Sequence, residues 1–223
     1  MRARIFLLTL VLIFPWSVRR AIYRRVFGYR IADDAIVGRS LIDARRVSLG
    51  PGSRIGSLSI IRNLDELILG EESRLGSFNW VAGFPDPSRR YFVQSPNRRS
   101  VLSIGDHSAV TARHVIDCTD SITMASFSTL AGHRSQLLTH AIDLNNNMQA
   151  CAPIVIGHYC FIGTGAILLK GARVPDYSVI AAGSVVSRSL EEEGHIYGGN
   201  PATKVKPVDR NRGYFARTRG AVG

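Results

Sequence analysis

The sequence predicts an all-β solenoid built of hexapeptide repeats, and three observations carry the prediction. Branched aliphatics recur at every sixth residue, small residues follow them four places on, and no helix-periodic stretch lies between the strands so implied. From Ile156 the step of six meets Ile162, Leu168, Val174, Ile180 and Val186. Four places after the first five of these stand Cys160, Ala166, Ala172, Ser178 and Ser184. A short flat strand and a tight turn, taken three times, make a triangular coil of about eighteen residues. The aliphatic fills the prism, the small residue sits at the corner where nothing larger fits, and the coils stack by parallel backbone pairing.

Earlier stretches keep the same step. Ile31, Val37, Leu49 and Ile55 follow it with Asp43 out of pattern, and Leu69, Leu75 and Val81 resume it after a two-residue slip. A second run reads Ile104, Val110, Ile116, Ile122, with Ser108 and Ser126 at small positions and His114 and Asp120 in place of small residues. Two segments break the period. Residues 84–101 contain three prolines and four arginines and read as a protruding loop, and residues 134–155 separate the second run from the third. Loops on a rigid repeat scaffold are where binding and chemistry usually sit.

The chain has 223 residues, ample for one core, and 28 Lys+Arg against 17 Asp+Glu give a net charge of +11. That charge is concentrated at the ends. Residues 1–30 hold seven arginines and no acid, residues 204–223 are again basic, and the body between them is nearly neutral. This distribution argues against a nucleic-acid binder with a basic face throughout. Three cysteines, Cys118, Cys151 and Cys160, follow no metal-ligand spacing and suit a reducing compartment. The organisation expected is an amino-terminal segment over 1–30, a solenoid over 31–206 and a basic tail over 207–223.

The amino-terminal run IFLLTLVLIFPW, residues 5–16, is too short for the roughly twenty apolar residues of a spanning helix. It meets Pro15-Trp16-Ser17-Val18 and then Arg19-Arg20, which lacks the small residues of a signal cleavage site. The reading is a helical hydrophobic segment at a lipid surface, with Trp16 and the arginines at headgroup level. The alternative is a helix packed on the body or between subunits.

The block Ile156-Gly157…Ile162-Gly163-Thr164-Gly165-Ala166 and the ending Gly198-Gly199-Asn200-Pro201-Ala202 resemble the hexapeptide-repeat acyltransferases. The likeness is most specific over about 102–206 and leans toward the maltose and galactoside type of sugar O-acetyltransferase and toward acyltransferases of polysaccharide biosynthesis. The resemblance implies a left-handed parallel β-helix, a homotrimer with sites between subunits, and acetyl-coenzyme A or another acyl-coenzyme A as co-substrate. It implies that His140, in Thr139-His140-Ala141-Ile142-Asp143, is the catalytic base. It also places Gly163, Thr164, Ala182, Arg188, Asn200 and Pro201 along the coenzyme A groove. Arginine at 188 keeps the charge of the family's lysine and grips phosphate bidentately.

Neutral imidazole suits acyl transfer to a hydroxyl because its pKa lies near working pH. Asp117 and Asp143 are the candidates to orient it, and with His133 they are the acceptor-side candidates. His114, at an inward position, reads as structural. A catalytic zinc needs three converging histidines, and the spacing of His133 and His140 without a third partner does not fit one, so no metal is expected. Cys160 sits at an inward position and Cys118 and Cys151 lack activating neighbours, so no covalent acyl-enzyme is expected. The basic tail either approaches coenzyme A phosphates or an acidic carrier protein or leaflet, and beyond Pro207 it reads as solvated. The expected activity is acyl transfer, acetyl foremost, from coenzyme A to a sugar or glycolipid hydroxyl at the inner face of a membrane, with peripheral attachment and no nucleic acid. The alternative is a non-catalytic β-helical scaffold or binding module.

Overall fold

Strands, most of two or three residues but with Leu41–Leu49 and Ile60–Leu69 running through a corner, alternate with turns in the computed structural model, which describes residues 2–85 and 90–220 and leaves the side chain of Arg2 undescribed. Residues 86–89 of the expected loop and 221–223 of the expected tail lie outside the described residues. The strands stack into the three parallel faces of a left-handed β-helix. The first face runs from Ile36–Val37 through Thr129–Leu130 to Val179–Ile180. The second runs from Trp80–Ala82 through Val115–Asp117 and Gln136–Leu138 to Val185–Val186. The third runs from Val101–Ile104 through Ile122–Met124 and Ile154–Ile156 to Arg173–Val174.

Each hexad aliphatic lies over its counterpart one coil away. Val81, Ile116, Leu137, Leu168 and Val186 are successive register partners on the second face, and all are buried. Burial of each such side chain contributes about 1.5–3 kcal/mol, so the column is the main source of stability. The corner serines have a specific task. Ser128 Oγ donates to the Gly157 carbonyl at 2.6 Å and accepts from the Cys160 amide at 2.8 Å. Ser40, Ser59 and Ser108 make the same bridge between coils. A corner buries backbone groups that no strand satisfies, and a small hydroxyl supplies the missing partners without filling the prism. Gly163 is small for a steric reason, since a Cβ there would stand 2.7 Å from the Ala182 amide nitrogen of the next coil.

The three corners differ. The first carries left-handed residues Leu58, Phe78, Arg113 and Arg134, continued by Gly165 and Gly183. The third carries His107, Phe127, Tyr159 and Tyr177 in the same conformation. The second corner takes the insertions. The loop after Gly83 leaves there and returns at Val101–Ile104, and a hairpin pairs His140–Asp143 with Met148–Cys151. The interruption read at 134–155 therefore narrows to this hairpin and its connections, because Leu137 and Ile154 continue the inner columns.

Two irregularities of the hexads are resolved here. Ile42, not Asp43, fills the inward position and pairs with Ile61. Asp43 turns to Arg4, whose Nε lies 2.9 Å from its carboxylate. The two-residue slip before Leu69 is a widened second corner in which Asn63 is left-handed, with φ of 59°.

Helices α1 (Arg2–Val11) and α2 (Trp16–Arg25) cover the first coil. Leu8, Val11 and Tyr23 are buried in the core cluster, so the packing alternative describes one side of this segment. Arg19, which interrupts the apolar stripe of α2, is itself buried and donates to the carbonyls of Val37 and Gly38 at 2.9 and 2.8 Å. The opposite side is open: Phe6 is 67% and Ile13 73% exposed, with Leu7, Leu10 and Phe14 also exposed. Among the described residues no helix is long and apolar enough to cross a membrane.

The tail departs from the expectation of a solvated segment beyond Pro207. Thr203–Pro207 pairs antiparallel with His195–Gly198 and covers the end of the first face. Beyond it the chain turns back over the third corner, where Phe127, Tyr159 and Tyr177 stack at 4.7 and 5.1 Å. The Arg217 guanidinium lies 5.7 Å from the Tyr159 ring and donates to the Phe127 carbonyl, while the Tyr214 hydroxyl donates to the Cys160 carbonyl at 2.8 Å. The coil spacing equals the strand spacing of about 4.8 Å, so aromatics at equivalent corner positions necessarily stack and offer their faces to a cation.

Arg19→Ala leaves two end-of-solenoid carbonyls without their charged donor and costs about 2 kcal/mol. The expected result is a fall in Tm of roughly 4–8 °C by calorimetry.

Candidate active site

His140 is the first residue of the hairpin strand and stands at the second corner, directly above Asp117 on the preceding coil. Asp117 Oδ2 accepts from His140 Nδ1 at 2.6 Å. The same oxygen accepts from the backbone amides of Thr139 and His140, at 3.1 and 3.2 Å. Its other oxygen accepts from the Thr119 amide at 3.1 Å and the Thr119 hydroxyl at 2.6 Å, and that hydroxyl stands 3.2 Å from Nδ1. Burial alone would raise the Asp117 carboxyl, but the hydrogen bonds from His140 and Thr119 outweigh it and hold the group below its usual range. The hydrogen bond to Asp117 raises the His140 pKa against burial and the nearby Arg98 charge, which lower it. With Nδ1–H engaged by a carboxylate, the lone pair of the neutral ring is on Nε2, which has no hydrogen-bond partner among the described residues.

The protruding loop closes on this imidazole. Phe84 and Phe92 lie 6.3 and 6.4 Å from its centroid and 5.4 Å from one another. Arg98 fixes them in place, donating to the Thr119 carbonyl at 2.7 Å and the Phe84 carbonyl at 2.9 Å while stacking 4.2 Å from the Phe92 ring centre. Thr119, Phe84, Phe92 and Arg98 were not expected from the sequence. Phe84, Phe92 and Arg98 lie in a loop without a repeat, whose signal is its aromatic and arginine content, and Thr119 lies at a hexad position that carries no mark of a special role.

The other candidates lie elsewhere. Asp143 is half-buried and caps its own turn, accepting from the amides of Asn145 and Asn146 and from Asn146 Nδ2, and this side-chain bond lowers its pKa. His133 is exposed at the first corner, where its backbone amide and carbonyl bracket the Thr164 hydroxyl at 3.0 and 2.9 Å. Gly163, Thr164 and Ala182 share that corner, and Asn200 and Pro201, joined by a cis peptide, stand over it on the last turn. The corner loses its side chains there: Gly165 and Gly183 have nothing within 4 Å of a Cβ position, leaving a smooth backbone strip. Arg188 is exposed at the second corner and its guanidinium makes no hydrogen bond or ion pair among the described residues. Within one chain the second face thus separates His140 from the Thr164 strip.

His114 is buried and bound on both ring nitrogens, accepting from the Ser135 amide and reaching Thr111 Oγ1, and burial pushes its pKa down to about 4. Burial pushes the Cys160 thiol up to about 12 and raises Cys118 and Cys151 as well. None of these thiols has thiolate character near neutral pH. Among the described residues no three His, Cys, Asp or Glu side chains converge as metal ligands.

With this geometry in hand, known proteins give a consistent family likeness. No protein-family model matches the chain. A Saccharomyces cerevisiae protein named as an acetyltransferase is 35% identical over 72 residues, covering 31% of this chain and 36% of that one. A UDP-3-O-acylglucosamine N-acyltransferase of Janthinobacterium is 28% identical over 77% of this chain and 47% of its own length. Escherichia coli WcaF, named for acetyl transfer in colanic acid biosynthesis, is 27% identical over 70% of this chain and 69% of its own. The chain spans between a third and a half of the first two relatives. Among solved structures, a hexapeptide-repeat acetyltransferase of Vibrio cholerae complexed with acetyl-coenzyme A superposes with a TM-score of 0.53 at 20% identity, over 93% of this chain and 87% of that one. A polySia-specific acetyltransferase superposes with a TM-score of 0.53 at 17% identity, over 80% and 81%. The fold is therefore that of the hexapeptide-repeat acyltransferases, and the resemblance read from the hexads holds in both sequence and structure.

The Asp117 contact makes a specific titration expected. By NMR the His140 imidazole should titrate above the ordinary 6.5, and in Asp117→Asn it should titrate lower than in the unaltered protein. His114 should stay neutral until about pH 4.

Proposed function

We infer that this protein is a coenzyme A-dependent O-acyltransferase that moves an acetyl or other acyl group to a hydroxyl of a sugar or glycolipid, with His140 as general base. The observation that carries the reading is the Asp117–His140 pair at 2.6 Å, with Nε2 unengaged. In the forward step Nε2 takes the proton of the acceptor hydroxyl as its oxygen attacks the thioester carbonyl. The imidazolium then returns that proton to the departing thiolate, so no group on the protein is acylated. The ionised Asp117 stabilises the imidazolium between the two transfers. Gly163, Thr164, Ala182, Asn200 and Pro201 line the coenzyme A groove in this reading, with Arg188 for a phosphate.

The separation of His140 from the Thr164 strip favours a site completed between copies of the chain in a homotrimer. Leu58, Phe78, Trp80 and Val115 form an exposed apolar band along the first corner and second face, a surface suited to a neighbouring copy. Peripheral attachment at the inner face of a membrane is favoured by the exposed apolar side of α1 and of the turn that follows it, where Phe6, Leu10 and Ile13 are exposed in a segment whose sequence is rich in arginine. The acetyl-coenzyme A complex of the similar Vibrio protein and the polySia specificity of the other solved structure agree with the donor and acceptor classes.

Acyl transfer from acetyl-coenzyme A to membrane-extracted glycolipids, followed by mass spectrometry, tests the reading. His140→Ala should retain the fold by circular dichroism and lose at least about 10²-fold in rate. An unchanged rate would remove His140 as the base, and no transfer by the unaltered protein would support the scaffold reading instead. Membrane attachment is tested separately by flotation with vesicles of phosphatidylethanolamine and phosphatidylglycerol. The double variant Phe6→Asp with Ile13→Asp should lose vesicle binding and keep its Tm.

A further inference from the structure

Two successive turns order the loop beside the imidazole. The Ser95 amide donates to the Phe92 carbonyl at 2.9 Å, and the Arg98 amide donates to the Ser95 carbonyl at 3.2 Å. Phe92, Ser95 and Arg98 thus recur at a spacing of three, which brings them to one side of the segment. All three serve the second corner. Phe92 is buried beside the His140 ring, Ser95 Oγ donates to the Cys151 carbonyl at 3.3 Å, and Arg98 reaches the carbonyls of Thr119 and Phe84.

We propose that Arg98 is a positioning residue of this site: its guanidinium is the strut that holds the aromatic loop against His140, and its charge is the counterweight to Asp117. The proposal rests on the acyl-transfer reading of His140 and adds the residue through which that base is held and balanced.

The strut joins the two sides of the imidazole. Thr119, whose carbonyl accepts from Arg98 at 2.7 Å, is also the residue whose amide and hydroxyl hold the Asp117 carboxylate. Phe84, whose carbonyl accepts from the other arm of the fork at 2.9 Å, stands 6.3 Å from the imidazole centroid on the loop side. One planar guanidinium therefore ties the turn that orients the base to the wall that covers it, with the Phe92 ring centre 4.2 Å away. Lysine carries no fork with which to span two carbonyls.

The charge of that guanidinium has no acid to answer it. Arg98 is half-buried, and no carboxylate pairs with it among the described residues. Two carbonyls need only a neutral donor, and an unpaired cation is costly to hold away from water, so its field points to a use. The charged and titratable groups about the His140 ring are few. Asp117 lies beneath it, Arg98 acts on it from the loop, and Cys151 is its register partner across the hairpin, with Asp120 acting on that thiol. Burial raises the Cys151 pKa and keeps the thiol neutral, so Asp117 and Arg98 are the charges that bear on the ring, one of each sign. Asp117 favours the imidazolium, which cannot take a hydroxyl proton, and Arg98 disfavours it without occupying Nε2.

Three variants separate the two roles. Arg98→Gln removes the charge, Arg98→Lys keeps the charge and removes the fork, and Arg99→Gln, at an exposed residue paired with Glu66, is the control. By NMR His140 should titrate higher in Arg98→Gln than in the unaltered protein, and unchanged in Arg98→Lys and Arg99→Gln. Chymotryptic cleavage after the buried Phe92, followed by mass spectrometry, should quicken about five-fold or more in both Arg98 variants. In acyl transfer the acid limb of the rate should move to higher pH in Arg98→Gln, because the neutral ring is the active form. Arg98→Lys should lose about ten-fold in rate with that limb in place. Arg98→Met carries the charge test if Arg98→Gln does not fold. An unmoved His140 titration in the uncharged variant, or an equal shift in Arg99→Gln, would overturn the counterweight. Unchanged cleavage in both Arg98 variants would overturn the strut. The expected titration and cleavage with no acyl transfer by the unaltered protein would uphold the role of Arg98 and remove the acyltransferase reading. Acyl transfer that neither Arg98 variant alters at any pH would do the reverse.

Discussion

Everything in this molecule hangs on the parallel hydrogen bonding of one coil to the next, which repeats the chain at the strand spacing and forces equivalent residues into vertical columns. Inside, the columns are largely aliphatic. At the corners the backbone turns too sharply to pair fully, and small hydroxyls such as Ser128 complete its hydrogen bonds across coils. In the column of Ser40 and Ser59 the larger Asn79 and His114 take that place by making the same hydrogen bonds with their own side chains, and the six-residue spacing relaxes at a single corner.

That corner is where the chemistry is assembled. Asp117 lies on one coil and His140 on the next, so the coil spacing itself brings carboxylate to imidazole. The amides of Thr139 and His140 and the Thr119 hydroxyl then hold the carboxylate ionised. A loop fixed by Arg98 contributes the aromatic surroundings. The scaffold supplies the position, and the insertions supply the walls.

The solenoid was legible because its constraint is local and repeated: Ile156 to Val186 and the small residues between them follow from the packing of a triangular prism. The likeness to a family then pointed to His140. The sequence leaves its partner open between Asp143, three residues on, and Asp117, one coil earlier, and the stacking of coils selects Asp117 and leaves Asp143 to its turn. The roles of Phe84, Phe92 and Arg98 were hidden because an aperiodic loop does not reveal where it folds back. Ile42 and Asp43 show the same limit on a smaller scale, as a one-residue shift in the column is visible only once Ile61 is seen beside it. The docking of the tail is not legible in the sequence because its docking surface, the ladder of Phe127, Tyr159 and Tyr177, is assembled from three coils and exists nowhere in the linear chain.

That ladder has a consequence for how the molecule comes apart. A bare solenoid behaves as a one-dimensional stack in which terminal coils can fray while the middle holds. Here Arg217, near the end of the chain, grips the coil of Phe127 as well as that of Tyr159, and Arg210 reaches Tyr177. The last coils cannot loosen one by one without first releasing a clasp that spans several of them. At the other end Arg19 holds the first coil in the same manner. A structure that is modular in its making is thereby tied into a single cooperative unit, with the Asp117–His140 pair in the stretch between its two fastenings.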